Sequence, residues 1–182
     1  QICEKLSMTM VEAICLSLDL PRDRLVQSFE PTHTSFLRLN YYPVEDPLSD
    51  LPDEVRDGAD LGIHHHSDAG AVTILIQDDV GGLQVFKDGY WHDVEAIAGA
   101  FVVNIGDMVQ VWSNDEYRAA LHRVQAMSSV DRYSFPFFFN PAYGAIVEPL
   151  ECAKTPNLYS GIDWGEFRRR RADGDYANIG KE

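Results

Sequence analysis

Apolar residues near the start of the chain recur at the spacing of an amphipathic helix. The stripe consists of Leu6, Met10, Ile14 and Leu18. An interval of four places these side chains on one helix face, which predicts a helix over residues 4–19. Proline suits a first helical turn, so a second short helix is expected over residues 21–29. Residues 1–33 are therefore predicted to be a helical segment packed on the core.

From residue 34 onward the pattern changes to short runs rich in β-branched and aromatic residues. The predicted strands are 35–42, 62–66, 72–77, 84–87, 90–93, 100–104, 118–126 and 132–139. Asp88-Gly89 is a typical hairpin turn between two of them. Short strands separated by Gly, Pro and Asp predict a mainly β, double-sheet domain over residues 34–182, with flanking helices and a C-terminal helix.

Two short segments supply the ligands of a mononuclear non-haem iron site. His66 and Asp68 stand two apart, so alternation along a strand would direct both to one face. His122 would then approach from a second strand. Two imidazoles and one carboxylate leave the opposite side of an octahedral ion open, which indicates a catalytic site for Fe(II). His64 shares this face, but the three ligands are already complete without it.

A second polar pair follows His122 in the chain. Arg132 and Ser134 share one strand face, and a guanidinium beside a hydroxyl is typical of a carboxylate clamp. Arg132 stands three residues before the apolar run 135–139, where an unpaired arginine would be costly, so a buried anionic partner is expected. Phe138 shares the same strand face. The sequence leaves open whether its side chain lines a substrate pocket or fills the core.

Six ordered motifs carry a resemblance to a known family. They are Leu37–Pro43, His66–Asp68, Gly81–Val85, Asn104–Asp107, Leu121–Val124 and Arg132–Ser134. With these motifs the chain resembles the iron(II) and 2-oxoglutarate-dependent dioxygenases of the isopenicillin N synthase-like superfamily. The resemblance implies a double-stranded β-helix, or jelly-roll, core. Members usually carry a further N-terminal segment before the point where this chain begins, and we expect that segment to be absent here.

The resemblance also implies a role for each matching residue. Fe(II) would be bound by His66, Asp68 and His122, and the distal carboxylate of 2-oxoglutarate by Arg132 and Ser134, with Asn40 and Tyr42 assisting its placement. The implied reaction uses dioxygen and couples decarboxylation of 2-oxoglutarate to hydroxylation, desaturation or cyclisation of a small organic metabolite. No catalytic residue is implied beyond the metal ligands.

Two alternatives remain open at the level of sequence. Some members of the superfamily keep the Arg-x-Ser pair and use no 2-oxoglutarate, so the chain could be a 2-oxoglutarate-independent oxidase. It could also be a non-catalytic jelly-roll binding module that retains a relic metal site. Substrate-dependent release of succinate distinguishes the first alternative, and a visible absorption band with Fe(II) and 2-oxoglutarate distinguishes the second.

The net charge and the cysteine content indicate which classes of partner and which cellular compartment to expect. The 182 residues carry a formal net charge of −14, which repels phosphate backbones and anionic membranes. The three cysteines, Cys3, Cys15 and Cys152, contain no Cys-x-x-Cys pair and leave an odd number, which argues against a disulfide framework and fits a reducing cytoplasm. No stretch has the length of a membrane span. We expect a cytoplasmic monomer that acts on a small molecule.

Two charged features are expected to be structural. Arg168–Arg171 follow one another in the expected C-terminal helix, and such a run is usually a solvated helix face. Asp107 follows Gly106 at a turn, where a carboxylate commonly bonds the backbone.

Overall fold

The computed structural model describes residues 1–44, 61–127, 129–151 and 156–173. Helix α1 spans Ile2–Ser17, so the first predicted helix is present and lies two residues earlier in the chain. Its buried side chains include Val11, Ile14 and Cys15. The apolar stripe thus faces the core, as the spacing predicts.

The second predicted helix, over residues 21–29, is a run of tight turns. Successive backbone amides donate to carbonyls three residues earlier, and Val26–Phe29 forms a 3-10 turn. Bonds of this kind do not continue into an α-helix. The segment nevertheless buries Leu25 and Phe29 in the core.

Eleven strands lie in the described part of the chain. They are β1 (Phe36–Leu37), β2 (Asn40–Tyr42), β3 (Leu61–His66), β4 (Val72–Gln77), β5 (Leu83–Lys87), β6 (Tyr90–Asp93), β7 (Val102–Ile105), β8 (His122–Gln125), β9 (Arg132–Phe139), β10 (Ile146–Val147) and β11 (Ile162–Asp163). All their pairings are antiparallel. The first sheet has the order β1–β9–β4–β7, with β2 also paired to β9, and the second has the order β3–β8–β5–β6. Strands β10 and β11 form a separate two-stranded sheet.

The predicted strand 35–42 is divided into β1 and β2. The break lies opposite Pro136 of β9, whose carbonyl accepts a hydrogen bond of 3.0 Å from the backbone N–H of Arg38. Proline has no N–H to donate in return, so the ladder is interrupted at this pair.

The predicted strand 118–126 is reduced to β8. The backbone N–H of Tyr117 donates to the hydroxyl of Ser113, and that of Ala119 donates to the side-chain carbonyl of Gln110. Because side chains occupy these donors, residues 117–119 do not join the sheet.

Strand β4 is buried on both of its faces. Val72 and Ile74 belong to the main apolar core, to which α1 also contributes, and α1 packs against β4 and β9. Thr73 and Leu75 point the other way, into a cavity between the two sheets. A strand covered on both sides explains why the sequence of β4 shows little polar alternation.

Two further helices flank the sheets. Helix α2, Asp107–Trp112, was not predicted, because it is only six residues long and nearly all of its side chains are buried, including the polar Asp107. Helix α3, Trp164–Ala172, is the expected C-terminal helix, and the Asp163 carboxylate caps it by accepting from the backbone N–H of Glu166.

The remaining expectations concern thiols and membrane spans. Cys3 and Cys15 are free thiols, whereas Cys152 lies outside the described residues. Among the helices of the described ranges, none has the length and apolar character needed to cross a membrane.

Candidate metal centre

Three ligand-type side chains meet in the cavity between the sheets. His66 ends β3 and pairs with His122, the first residue of β8. The Nε2 atom of each histidine lies 3.7 Å from Oδ1 of Asp68, and one ligand atom of each residue lies within 4.8 Å of the other two. The three predicted ligands are therefore brought together by the fold.

Asp68 reaches this position from a loop and not from a strand face. Strand β3 ends at His66, and the carbonyls of Asp68 and Gly70 accept hydrogen bonds from the backbone N–H groups of Asp107 and Met108. The expectation of simple strand alternation is wrong here, because the start of α2, and not a neighbouring strand, bonds this segment.

Both histidines are held in the tautomer that leaves Nε2 available. Nδ1 of His66 lies 2.8 Å from the carbonyl oxygen of His64, and Nδ1 of His122 lies 3.0 Å from the carbonyl oxygen of Ala120. A carbonyl only accepts, so Nδ1 carries the proton and Nε2 keeps its lone pair. Burial lowers the pKa of His66, which favours the neutral, coordinating form.

The Asp68 carboxylate is oriented by two side chains of the opposite sheet. Thr73 Oγ1 and Asn104 Nδ2 donate to Oδ2 at 2.6 Å and 2.8 Å. Oδ1 is the oxygen that faces the two imidazoles. Neither Thr73 nor Asn104 was assigned a role from sequence. Side-chain alternation along β4 and β7 could have placed both residues on the cavity side. The sequence pattern did not show that Asp68 would accept hydrogen bonds from them.

A close backbone contact fixes the loop that carries Asp68. A Cβ atom built on Gly106 would lie 2.3 Å from the Gly70 carbonyl oxygen and 2.6 Å from that of Asp68. Any side chain at Gly106 would push the loop away. Glycine is thus required before α2 for steric reasons.

Asp107 is bonded differently from the expectation. Its side chain is buried and accepts from Nη2 of Arg171 at 3.2 Å and from the Ser67 hydroxyl. Burial raises the pKa of Asp107, while Ser67 and Arg171 act against this shift. The prediction of a backbone partner is wrong for this carboxylate. The prediction of a solvated arginine run is wrong for Arg171, because its guanidinium binds the buried carboxylate of Asp107.

Arg132 is fully buried in the first sheet. Its Nε donates to the Gly81 carbonyl at 2.5 Å and its Nη2 to Oε1 of Gln77 at 2.9 Å, and its guanidinium lies 4.8 Å from the centre of the Tyr42 ring. Within the described ranges, Nη1 has no hydrogen-bond partner and no carboxylate pairs with the side chain. A buried cation in this state is a binding site for an anion.

The other three predicted cavity residues lie on the same face. Asn40 pairs with Ser134 across β2 and β9, and its Nδ2 donates to the Ser134 hydroxyl at 3.3 Å. Phe138 lines the cavity further along β9. Of the two positions left open for Phe138, the pocket wall is the one observed.

The cavity has a volume of about 300 Å³. All eight predicted site residues line it, namely Asn40, Tyr42, His66, Asp68, His122, Arg132, Ser134 and Phe138. Most of the remaining wall is aliphatic, and one further cation, Arg38, also lines it. Sequence reasoning gave Arg38 no role, although its alternation with Asn40 and Tyr42 could have placed it on the same face.

The donor set suits a divalent iron ion. Two neutral imidazole nitrogens and one carboxylate oxygen on one side of an ion form the facial arrangement that leaves further positions open. The polar atoms around Oδ2 of Asp68 and Nδ1 of each histidine complete the outer contacts that such ligands normally make.

The comparisons with known proteins agree with this geometry. The model for the 2OG-Fe(II) oxygenase superfamily matches residues 33–141. Protein DMR6-LIKE OXYGENASE 2 of Arabidopsis thaliana is 36% identical over 167 residues, which are 89% of this chain and 45% of that protein. Gibberellin 20 oxidase 2 of Oryza sativa subsp. japonica is 38% identical over 166 residues, 91% of this chain and 40% of that protein. The chain thus spans less than half the length of these relatives.

Solved structures show the same fold. The crystal structure of JOX2 with 2OG, Fe and JA superposes with a TM-score of 0.78 at 37% identity, and covers 91% of this chain and 48% of that one. The 2-oxoglutarate complex of AtDAO1, a dioxygenase for auxin oxidation from Arabidopsis thaliana, has a TM-score of 0.66 at 26% identity, and covers 80% and 51%. The predicted jelly-roll fold is confirmed. The chain belongs to the 2OG-Fe(II) oxygenase superfamily.

Proposed function

We propose that this chain is the catalytic domain of an Fe(II) and 2-oxoglutarate-dependent oxygenase that oxidises a small organic metabolite. Hydroxylation is the expected outcome, with desaturation or cyclisation as variants of the same chemistry. The observation that carries the proposal is one cavity that contains both a His-Asp-His ligand set and a buried guanidinium with an unpaired N–H.

Each residue has a defined task in this proposal. Fe(II) is held by Nε2 of His66, Nε2 of His122 and Oδ1 of Asp68. Arg132 and the Ser134 hydroxyl bind the distal carboxylate of 2-oxoglutarate. Fe(II) and 2-oxoglutarate supply the oxidising chemistry when bound, in which dioxygen is consumed and succinate and carbon dioxide are released. The protein positions the reactants and excludes water.

The contacts of Arg132 favour 2-oxoglutarate over the two alternatives. Gly81 and Gln77 hold two edges of the guanidinium, and among the described residues its buried Nη1 has no hydrogen-bond partner. The structures of JOX2 and AtDAO1 were both solved with 2-oxoglutarate. A relic site would not need Thr73 and Asn104 to keep Asp68 in place.

The test is anaerobic titration of the protein with Fe(II) and 2-oxoglutarate. We expect a visible absorption band that requires both additions, and succinate release once oxygen is admitted. His122→Ala should abolish both signals, because two remaining ligands cannot hold the ion. His92→Ala, which alters an exposed histidine, is the matched control. An unchanged band in His122→Ala would contradict the proposal.

We further propose that the protein acts in the cytoplasm as a monomer, without nucleic-acid or membrane partners. The net charge of −14 and the free thiols of Cys3 and Cys15 support this assignment. Light scattering after size-exclusion chromatography tests the oligomeric state. A mass twice that of the chain would contradict it.

A further inference from the structure

Helix α2 is bonded to the chain segments that carry two of the three metal ligands. At its start, the backbone N–H of Asp107 donates to the carbonyl of Asp68 at 2.7 Å. One turn further along, the side chain of Gln110 bonds the segment that leads into His122. The same short helix therefore contacts the site at two separate places.

The side-chain amide of Gln110 is held at both of its ends. Oε1 accepts from the backbone N–H of Ala119 at 2.9 Å. Nε2 donates to Oδ1 of Asp115 at 3.0 Å and to the hydroxyl of Tyr159 at 2.8 Å. A reversed amide would direct its N–H groups at the N–H of Ala119, so the hydrogen-bond partners settle its orientation.

Asp115 reaches Gln110 because the chain turns sharply after α2. Asn114 and Asp115 have φ angles of 51° and 70°, in the left-handed region that Asn and Asp enter more readily than most residues. The backbone N–H of Asp115 also donates to the carbonyl of Gln110 at 3.0 Å. The turn thus fixes Gln110 from one side, while Ala119 is bonded from the other.

The residue after Ala119 bonds a metal ligand directly. The carbonyl oxygen of Ala120 lies 3.0 Å from Nδ1 of His122, and Ala120 itself lines the cavity. On its other side, the carbonyl of Leu121 accepts from the backbone N–H of Phe86 at 2.8 Å. Ala120 therefore lies between two residues whose backbone is bonded to other parts of the protein.

We propose that Gln110 is a positioning residue for the metal centre. By holding the N–H of Ala119, it keeps the carbonyl of Ala120 where that oxygen accepts the Nδ1 proton of His122. His122 then presents Nε2 to the metal in the required tautomer and orientation. Gln110 is not among the residues that line the cavity, so it acts only through this segment. The inference rests on the proposed function, in which His122 binds the metal.

Two variants separate this role from a general contribution to stability. Gln110→Met keeps the length of the side chain and removes the acceptor for Ala119. Tyr159→Phe is the matched control, because it removes the hydroxyl that bonds Gln110 and Asp115 and leaves the bond to Ala119 intact. Both variants should lower the melting temperature, whereas only Gln110→Met should act on His122.

The first measurement is the affinity for Co(II), which stands next to Fe(II) in the series of divalent metals and is stable in air. Gln110→Met should weaken Co(II) binding about tenfold, the lower limit for loss of an outer contact, and Tyr159→Phe should change it less than about twofold. The wild-type protein is titrated first. If it binds no Co(II), the proposed function fails. Equal affinity in the wild-type protein and Gln110→Met would overturn this inference alone.

The second measurement follows the Nδ1 proton of each histidine by NMR. In the Co(II) protein, the ring N–H protons of the two bound imidazoles give hyperfine-shifted signals that exchange with water. In Gln110→Met, the signal of His122 should exchange faster, because the carbonyl of Ala120 is no longer fixed. The signal of His66, which bonds the carbonyl of His64, should stay unchanged. Two unaffected signals, or two signals affected alike, would contradict a role specific to His122.

The third measurement uses only the wild-type protein. If the bond to Ala119 favours metal binding, metal binding must favour that bond by the same factor, so Zn(II) should slow hydrogen exchange of the Ala119 amide about tenfold. The amide of Val26, which bonds the carbonyl of Asp23 in the N-terminal turns, is the comparison and should not respond. An Ala119 amide that exchanges equally fast with and without Zn(II) would refute the proposal, even if Gln110→Met did not fold.

Discussion

At the scale of single residues, the candidate site depends on groups that do not themselves touch the ion. Asp68 has two oxygens, and Thr73 and Asn104 occupy one of them. Oδ1 is left for the metal, and the carboxylate cannot rotate without breaking two buried hydrogen bonds. The orientation of the ligand is therefore set by the opposite sheet before any ion binds.

Thr73→Val should weaken Fe(II) binding about 10–100-fold, the range typical for loss of an outer-shell contact. Valine keeps the branched shape of threonine but cannot donate to Asp68, so the carboxylate gains freedom to turn. The measurement is an anaerobic Fe(II) titration with 2-oxoglutarate in excess. Thr9→Val, in which the lost hydroxyl bonds an exposed backbone carbonyl, is the matched control. Equal Fe(II) affinity in the two variants would contradict the role of Thr73.

Arg132→Lys should raise the dissociation constant of 2-oxoglutarate by about tenfold or more, and leave Fe(II) binding nearly unchanged. A lysine ammonium is a point charge and cannot bond Gly81 and Gln77 while also presenting a planar fork to a carboxylate. Quenching of intrinsic fluorescence by 2-oxoglutarate in the presence of Mn(II) measures the affinity.

Arg118→Lys provides the comparison for this substitution, because the Arg118 side chain is 76% exposed. A 2-oxoglutarate affinity that is the same in Arg132→Lys and Arg118→Lys would rule out a bidentate clamp at Arg132.

At the scale of elements, the C-terminal helix is tied to the loop that carries a metal ligand. Arg171 of α3 pairs with Asp107 of α2, and the Asp107 backbone N–H donates to the Asp68 carbonyl at 2.7 Å. Asp107 also accepts from Ser67, which lies between two ligands in the chain. Asp107 therefore connects helix α3 to the loop of Asp68 by direct contacts with both.

Arg171→Met should lower the free energy of unfolding by about 1–3 kcal/mol at neutral pH, less than for a fully buried pair because the Arg171 side chain is 22% exposed. Asp107 would remain buried without its cation, and burial already raises its pKa. A raised pKa in the folded state favours folding at low pH and opposes it as pH rises. The deficit should therefore shrink as the pH is lowered towards about 5.

Thermal unfolding of the wild-type protein and the variant across this pH range measures the effect. Arg169→Met is the control, since Arg169 lies on the same helix with a 65% exposed side chain near Glu166. A deficit that stays constant with pH would show that Arg171 stabilises the protein through packing and not through the charge of Asp107.

Which elements could be predicted depended on whether one face of each was polar. Alternation along β9 correctly placed Arg132 and Ser134 on one face, whereas Asn40 and Tyr42, which lie opposite Ser134 and Arg132 in β2, were indicated only by the family resemblance. Helix α2 was not predicted, because its side chains are buried on nearly all sides of the helix. The shortening of β8 depends on hydrogen bonds to Gln110, and the break between β1 and β2 depends on the missing N–H of Pro136. Neither cause is a local property of the affected strand.

At the scale of the whole molecule, the site is divided between two sheets. The imidazoles of His66 and His122 belong to the sheet of β3 and β8, whereas Arg132 and Ser134 belong to the sheet of β9. Sequence motifs could predict these groups because His66 and Asp68, and likewise Arg132 and Ser134, stand two apart in the chain. The distant His122 was added because it completes the ligand set. The aliphatic residues of the cavity wall could not be assigned, because the cavity that they share exists only where the two sheets face each other.

This division predicts that metal and 2-oxoglutarate stabilise the fold together, because 2-oxoglutarate would join the metal centre of one sheet to Arg132 of the other. Mn(II), which is stable in air, should raise the melting temperature alone. Adding 2-oxoglutarate to the Mn(II) protein at about 100 times its dissociation constant should increase the free energy of unfolding by a further ~2.7 kcal/mol, which raises the melting temperature by roughly 5–10 °C.

Glutarate is the control for this stabilisation. It keeps both carboxylates but lacks the keto oxygen for chelation, so it should raise the melting temperature much less. In Arg132→Lys at the same ligand concentrations, the Mn(II) increment should persist and the 2-oxoglutarate increment should largely disappear. Equal increments from glutarate and 2-oxoglutarate would mean that the ligand does not bridge the sheets through the metal.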